Sequence, residues 1–324
     1  MDDMTALRRN PIAVGMGLPT LLKHGTPEQV ERYHQLAFDG AEIWCQLFSE
    51  PGSGSDLAGL STRAARDGDG WRVNGQKVWT SIAHLAHIGM LLARTDPDVP
   101  KHQGITFFLI EMDQPGVEVR PLRQLTGDAE FNEVFLTDAW VPDSARIGAL
   151  NDGWAVARTT LSNERVALSG AGGGIPRIGG IAVESLIARA QSSGAWEDPA
   201  LRDELVRRYV EGEVIRFSNL RARRARQTGQ PGPEGSMMKL AQALYNRRLQ
   251  RTAMRTLGEA GTAWDAADPT GGKTAHGLLR AQANTIEGGT SNVLRNVVGE
   301  RVLGLPREPG PPADTPWSEL PRNA

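Results

Sequence analysis

A single cysteine, Cys45, stands in 324 residues, so no internal disulfide framework can brace the fold, and a reducing, cytoplasmic setting is expected. The six histidines are scattered, none at metal-ligand spacing with cysteines or carboxylates, so no metal site is expected. No apolar run approaches the ~20 residues of a membrane helix, and no secretory signal opens the chain. Formal net charge is only −2, which gives no field to recruit nucleic acid or an anionic membrane. Lysine is scarce too: arginine supplies almost all of the 36 basic residues. What remains, 40% hydrophobic and 23% charged, is the balance of an ordinary globular protein long enough for two or three structural units.

The periodicity changes twice along the chain. Residues 1–44 read as helical: Thr26-Pro27-Glu28 is a helix start, followed by Val30, Tyr33, Leu36 and Ala37 at helical spacing. Residues 45–150 read as strands and turns. Trp71–Trp79 reads as two short strands around Asn74-Gly75, and further runs cover His87–Ala93, Gly104–Met112, Gly116–Leu122 and Phe131–Val141. Their short spacing, with glycine and proline between, predicts a small antiparallel barrel or sandwich. Helices return over 151–305, at 152–170, 175–192, 199–226, 234–258 and 273–303 with breaks, and imply a bundle. The proline-rich tail 306–324 is expected to be irregular and able to reach a neighbouring subunit. This helix–β–helix order is α+β, and no G-x-G-x-x-G follows a strand and opens a helix.

Phe48-Ser49-Glu50-Pro51-Gly52-Ser53-Gly54-Ser55-Asp56 concentrates glycines and serines that let backbone approach a ligand and offer hydroxyl and N–H donors. Composition alone also allows an ordinary surface turn. Trp79-Thr80-Ser81 and Gly289-Thr290-Ser291 are two further clusters of this kind. Together with Val73–Thr80, Leu92–Asp96, Phe131–Phe135, Val141-Pro142 and Ile286–Ser291, the stretch Cys45–Asp56 resembles the acyl-CoA dehydrogenase family, in order, over about residues 11–306. The resemblance implies the fold of that family: shortened N-terminal helices, a central antiparallel β-barrel domain and a C-terminal four-helix bundle. It also implies FAD, an acyl-CoA thioester substrate, an electron-transfer flavoprotein as electron acceptor, and a homo- or hetero-oligomer, dimer or tetramer.

Carried over position by position, the resemblance gives Gln46, Phe48, Ser49, Gly54 and Ser55 contacts to the flavin and the ligand beside it. Trp79 packs against the flavin ring, Ser81 hydrogen-bonds to it, and Thr290 meets the cofactor from the other side. The chemistry needs a carboxylate to take the α-proton and an oxyanion site for the developing enolate. In the best-known branch the base immediately precedes Gly-Thr-Ser, but that position here is Gly288. Its backbone N–H still suits an oxyanion donor. Glu287, one residue earlier, is the alternative base. Trp154, Ala157, Leu161, Glu164 and Leu168 share one helical face, which makes Glu164 a carboxylate in an apolar stripe. By position alone it reads sooner as a structural glutamate paired with a buried arginine. Asn163–Leu168 resembles the branch of isovaleryl- and long-chain acyl-CoA dehydrogenases, whose base is at this place, and Glu164 is therefore the expected base.

Two departures from the family stand out. Only about 45 residues precede the Ser-Glu-Pro-Gly cluster. The stretches expected at the ADP half of a neighbour's FAD, Gln191–Trp196 and Leu257–Gly261, lack the arginine motif and carry Glu259, which would repel a diphosphate. Either the contacts have diverged or a different subunit supplies them, as in bacterial hetero-oligomers acting on steroid-like, bulky CoA esters. Arginines at 221, 223, 224, 226, 247, 248, 251 and 255 leave open a DNA-binding alkylation-response-like flavoprotein. A partner subunit without flavin chemistry and an oxygen-using monooxygenase are the other readings. Gly170–Gly174 is expected to shape the acyl pocket.

Overall fold

A computed structural model describes residues 10–168, 180–229, 234–262, 265, 267, 268 and 270–321. Gly170–Gly174, and with it the expected acyl pocket wall, lies outside them. By internal contacts the chain divides into two compact units, Met1–Glu164 with Glu308–Ala324, and Arg165–Arg307.

The first unit opens with a π-helical turn, Ala13–Gly17, running into helix Leu18–His24. Helix Pro27–Phe38 starts where the sequence places it. Thr26 accepts from the Gln29 N–H, and the Gln29 side chain accepts from the Thr26 N–H, a reciprocal capping box with proline at the first turn. The strands follow as β1 (Trp44–Leu47), β2 (Arg63–Asp67), β3 (Gly70–Ser81), β4 (Ile88–Arg94), β5 (Ile105–Glu111), β6 (Val117–Leu122), β7 (Phe131–Pro142) and β8 (Arg146–Ile147). The sheet order is β6-β7-β3-β2-β4-β5-β8, with β1 beside β4. The expected antiparallel pairing is modified at two places: β1 and β2 pair with β4 in parallel. Parallel neighbours need a long connection, and the chain between β1 and β4, with the β2–β3 hairpin inside it, provides one.

Asn74-Gly75 is not a hairpin turn. β3 runs through it unbroken, and the turn is Gly68-Asp69 between β2 and β3, whose register closes at Asp67 opposite Gly70. Asn74 instead bonds Asp138 on β7 twice, from its Nδ2 to the carboxylate at 2.8 Å and at its Oδ1 from the Asp138 N–H at 2.9 Å. Gly75 allows a close approach, since a Cβ there would lie 2.8 Å from the Thr62 Cα.

Two cores flank the sheet. Cys45, Leu47, Trp71, Val73, Phe108, Val134 and Val141 fill one. Trp44, Phe48, Met90, Leu92 and Phe107 fill the other, under the N-terminal helices and the first residues of helix Gly153–Leu168. Near the end of the tail, Trp317 docks on its own unit. Trp317 is buried, its N–H bonds the Val99 carbonyl and its indole the Gly59 carbonyl, and the Arg94 guanidinium lies 4.5 Å from its ring centre.

The second unit is helical: Val183–Ser193, Pro199–Gln227, Glu234–Arg255, Gly271–Ala281 and Ser291–Arg301. Leu186, Leu205, Ile215, Tyr245 and Leu249 form its core. No described helix is long and apolar enough to cross a membrane.

Candidate functional site

The loop after β1 is anchored by charge. Glu50 is buried and accepts from the N–H groups of Ser61 (2.7 Å) and Thr62 (2.9 Å) and from Lys77 Nζ (2.9 Å). Burial would raise its pKa, but the Lys77 charge and these donors outweigh it and hold the carboxyl at about 2. Burial lowers the Lys77 pKa, and Glu50 opposes that shift. Lys77 also donates to the Phe48 carbonyl at 3.0 Å, and the Val78 N–H bonds the Ser49 carbonyl at 2.9 Å. The loop is thereby fixed to β3 at Phe48, Ser49 and Glu50. Phe48 itself is buried, edge-on to Phe107 at 5.9 Å. Gly54 and Ser55 are exposed, and a Cβ on Gly54 would meet nothing within 4 Å. Packing within the chain therefore gives no reason for a glycine there.

Two residues past Lys77 the β3–β7 ladder skips, from Lys77–Val134 to Thr80–Asn132. The bulge carries Trp79 at φ 60°, the residue 61% exposed and its indole edge-on to Phe131 at 6.1 Å. A bulky side chain in left-handed backbone is strained, and bulges of this kind re-aim side chains. Trp79 is thus no part of the described cores. Ser81 ends β3, half-buried. Thr80 between them is buried, and its hydroxyl has no hydrogen-bond partner among the described residues.

Glu164 lies on helix Gly153–Leu168, half-buried, beyond Trp154, Ala157 and Leu161, which pack into the helix-side core. Gln46 Nε2 donates to its Oε2 at 3.3 Å. Leu168 belongs to the same expected stripe, but its side chain lies outside the described residues.

Glu287, Gly288 and Thr290 are in the second unit. Glu287 is held by Arg280 (3.0 Å) and by Asn284 Nδ2 (2.8 Å). Gly288 and Gly289 have φ of 60° and 95°, a left-handed pair that side-chain-bearing residues rarely adopt. Thr290 caps helix Ser291–Arg301, accepting from the Val293 N–H at 3.2 Å. Beneath the turn, buried Lys239 donates to the carbonyls of Asn284 (2.9 Å) and Gly289 (2.8 Å). Glu259 is exposed in the short 3₁₀ turn Gly258–Gly261. Of the noted arginines, Arg248 and Arg255 pair with Glu211 and Glu204, and Arg247 donates to Gln282 at 3.1 Å. The Arg226 side chain lies outside the described residues.

Lys77, Glu50 and Lys239 are anchors beyond the site residues expected from sequence. For Lys77 there was a signal: it has the inward parity of Trp71 and Val73 on the same strand. Nothing in local sequence marked Lys239, because its two acceptors lie 45 and 50 residues away.

The chain matches the acyl-CoA dehydrogenase middle domain over residues 45–139 and the acyl-CoA dehydrogenase C-terminal domain over residues 151–303. It is 46% identical over 292 residues to the acyl-CoA dehydrogenase FadE34 of Mycobacterium tuberculosis, covering 89% of this chain and 39% of that one. To the acyl-CoA dehydrogenase IpdE1 of the same organism it is 41% identical over 295 residues, covering 90% and 74%. Among solved structures it resembles the Tcur3481–Tcur3483 steroid ACAD, with TM-score 0.84 and 32% identity over 92% of this chain and 77% of that one. The chain belongs to the acyl-CoA dehydrogenase family. It spans about two fifths of FadE34 and about three quarters of IpdE1.

Proposed function

We propose that the chain takes part in the α,β-dehydrogenation of an acyl-CoA thioester, with Glu164 as the base. The observation that carries this reading is the placement of Glu164, half-buried beyond an apolar helix face with Gln46 Nε2 at its Oε2, while the position before Gly-Thr-Ser is Gly288 and has no carboxylate. The residues around the β3 bulge suit a flavin. A strained, outward-facing indole offers a stacking surface, and the bare backbone at Gly54 admits close approach. FAD, when bound, would supply the two-electron acceptor for the β-hydride. Glu164 takes the proton from Cα as the Cα=Cβ bond forms, so the thioester is oxidised to the 2-enoyl thioester. The Gly288 N–H suits the thioester oxygen as an oxyanion donor. Phe48, Ser49, Gly54, Ser55, Trp79, Ser81 and Thr290 would make up the cofactor-side contacts, with an electron-transfer flavoprotein as the onward electron acceptor.

Anaerobic mixing of flavin-loaded protein with acyl-CoA esters tests this through loss of the flavin absorbance. Glu164→Gln should slow bleaching by about 10²–10⁴-fold with flavin retained, the usual contribution of a general base. Glu287→Gln should leave it within about threefold, and the opposite pattern rejects the assignment.

One observation favours a hetero-oligomer acting on bulky CoA esters. Glu259, in the stretch that the resemblance places at a diphosphate, is exposed, and the similar steroid ACAD carries a paired name, Tcur3481–Tcur3483. Co-expression with a candidate partner, followed by comparison of flavin content alone and in complex, tests it.

A further inference from the structure

Gln46 and Glu164 are 118 residues apart in sequence, and two periodicities bring them together. Along β1, Cys45 and Leu47 point into the core between β3, β5 and β7, while Trp44 and Phe48 point to the opposite, helix-covered face. Gln46 shares the parity of Trp44 and Phe48, and is the polar member of that row. Helix Gly153–Leu168 provides the facing row: Trp154, Ala157 and Leu161 enter the same core, and Glu164 follows Leu161 by three positions. The rows meet at their polar members, where Gln46 Nε2 donates to Glu164 Oε2. An ionised carboxylate only accepts, so the amide must present its nitrogen.

Both carriers are rigid. Gln46 sits in an unbroken parallel register with β4, opposite Met90. One turn before Glu164, the Thr160 hydroxyl bonds the Thr20 hydroxyl at 3.0 Å inside the protein, and Thr159 bonds His24 Nε2 at 2.8 Å. The helix is thus held against rotation close to its carboxylate. A half-buried amide in an apolar row costs stability unless its hydrogen bonds are made. The bond it makes here is to Glu164.

We propose that Gln46 is a positioning residue for Glu164, its amide holding the carboxylate in the orientation from which it takes the α-proton. The proposal rests on Glu164 being the base, and assigns Gln46 to the base rather than to the flavin. The amide itself neither gains nor loses a proton; the proton passes from Cα to the carboxylate.

The test isolates proton removal from hydride transfer. With 3,3-dimethylbutyryl-CoA, whose β-carbon bears no hydrogen, base action appears as exchange of α-hydrogen for deuterium in D2O. Gln46→Met keeps side-chain length and removes the donor. In flavin-loaded protein, Q46M should slow exchange about 10–100-fold, the cost of a misplaced catalytic group. Thioester binding should stay within about twofold and flavin content should be unchanged. Exchange at the parent rate in Q46M, with E164Q inactive, overturns the positioning role. Lost flavin with normal exchange per flavin also overturns it, in favour of a cofactor contact. Exchange that persists in E164Q, or is absent from the parent, instead overturns the assignment of the base. Should Q46M not fold, isosteric Q46E is judged by the same criteria.

Discussion

Lys77 Nζ lies 2.9 Å from the Glu50 carboxylate and 3.0 Å from the Phe48 carbonyl, and both side chains are buried. Removing one member strands the other charge in the interior. Lys77→Met should therefore destabilise the protein by about 3–5 kcal/mol, as breaking buried pairs does. The double variant E50Q/K77M should cost clearly less than the sum of the single changes. A denaturant double-mutant cycle measures this, and additive costs would show that the pair is not coupled.

The same pair sets an acid limit. The Glu50 carboxyl stays ionised to about pH 2 in the folded protein, against an ordinary value of 4.5. Because the folded pKa is depressed, its contribution is complete above the unfolded pKa and is lost as pH falls from about 4.5 to 2. Asp143, held at about 2 by Arg146 and Trp71, titrates over a similar window from a more exposed position. Glu50→Gln should lower stability at pH 7 and flatten its fall on acidification, as followed by urea unfolding at several pH values. An equally steep fall in the variant would place the acid sensitivity elsewhere.

Trp79 separates stability from binding. Glycine relieves its left-handed backbone strain, worth about 1–3 kcal/mol, and forfeits an edge-on aromatic contact worth about 0.5–1.5 kcal/mol. Trp79→Gly should thus leave the apoprotein melting temperature unchanged or slightly raised while weakening flavin binding at least about tenfold. Differential scanning fluorimetry and flavin titration give the two numbers. A large drop in apoprotein stability would mean that the indole serves packing.

Lys239 presents a different dependence. It holds the carbonyls on both sides of the Glu287–Gly288 segment. Lys239→Met should leave the turn mobile and speed amide exchange at Gly288–Thr290 by about tenfold or more, as breaking the anchor of a local opening unit does. Hydrogen–deuterium exchange with mass spectrometry reads this directly, and unchanged protection would assign the turn's rigidity to the Arg280–Glu287–Asn284 cluster.

Element types were largely legible because periodicity and punctuation agree: Thr26-Pro27 starts a helix where it should, and the strand runs at β4 to β7 lie within a residue or so of their expected positions. Asn74-Gly75 misled because glycine serves two purposes. Here it admits the Thr62 backbone instead of closing a turn, and the hairpin uses the less conspicuous Gly68-Asp69. In the candidate site the residue types were readable, but their states were not. The strain at Trp79 comes from a ladder skip against β7, and the hold on Glu287 comes from Arg280 seven positions before it. The proximity of Gln46 to Glu164 depends on a sheet face meeting a helix face, which no local window of sequence contains.

The docked tail bears on how the chain is made. Arg94 gathers the carbonyls of Ala58, Leu60 and Lys101 around one guanidinium, and the ring that covers this group belongs to Trp317. During translation residues 58–94 emerge more than two hundred residues ahead of that tryptophan. Until Trp317 leaves the ribosome the Ala58–Leu60 loop lacks its cover, so completion of this unit awaits a residue made long after its strands.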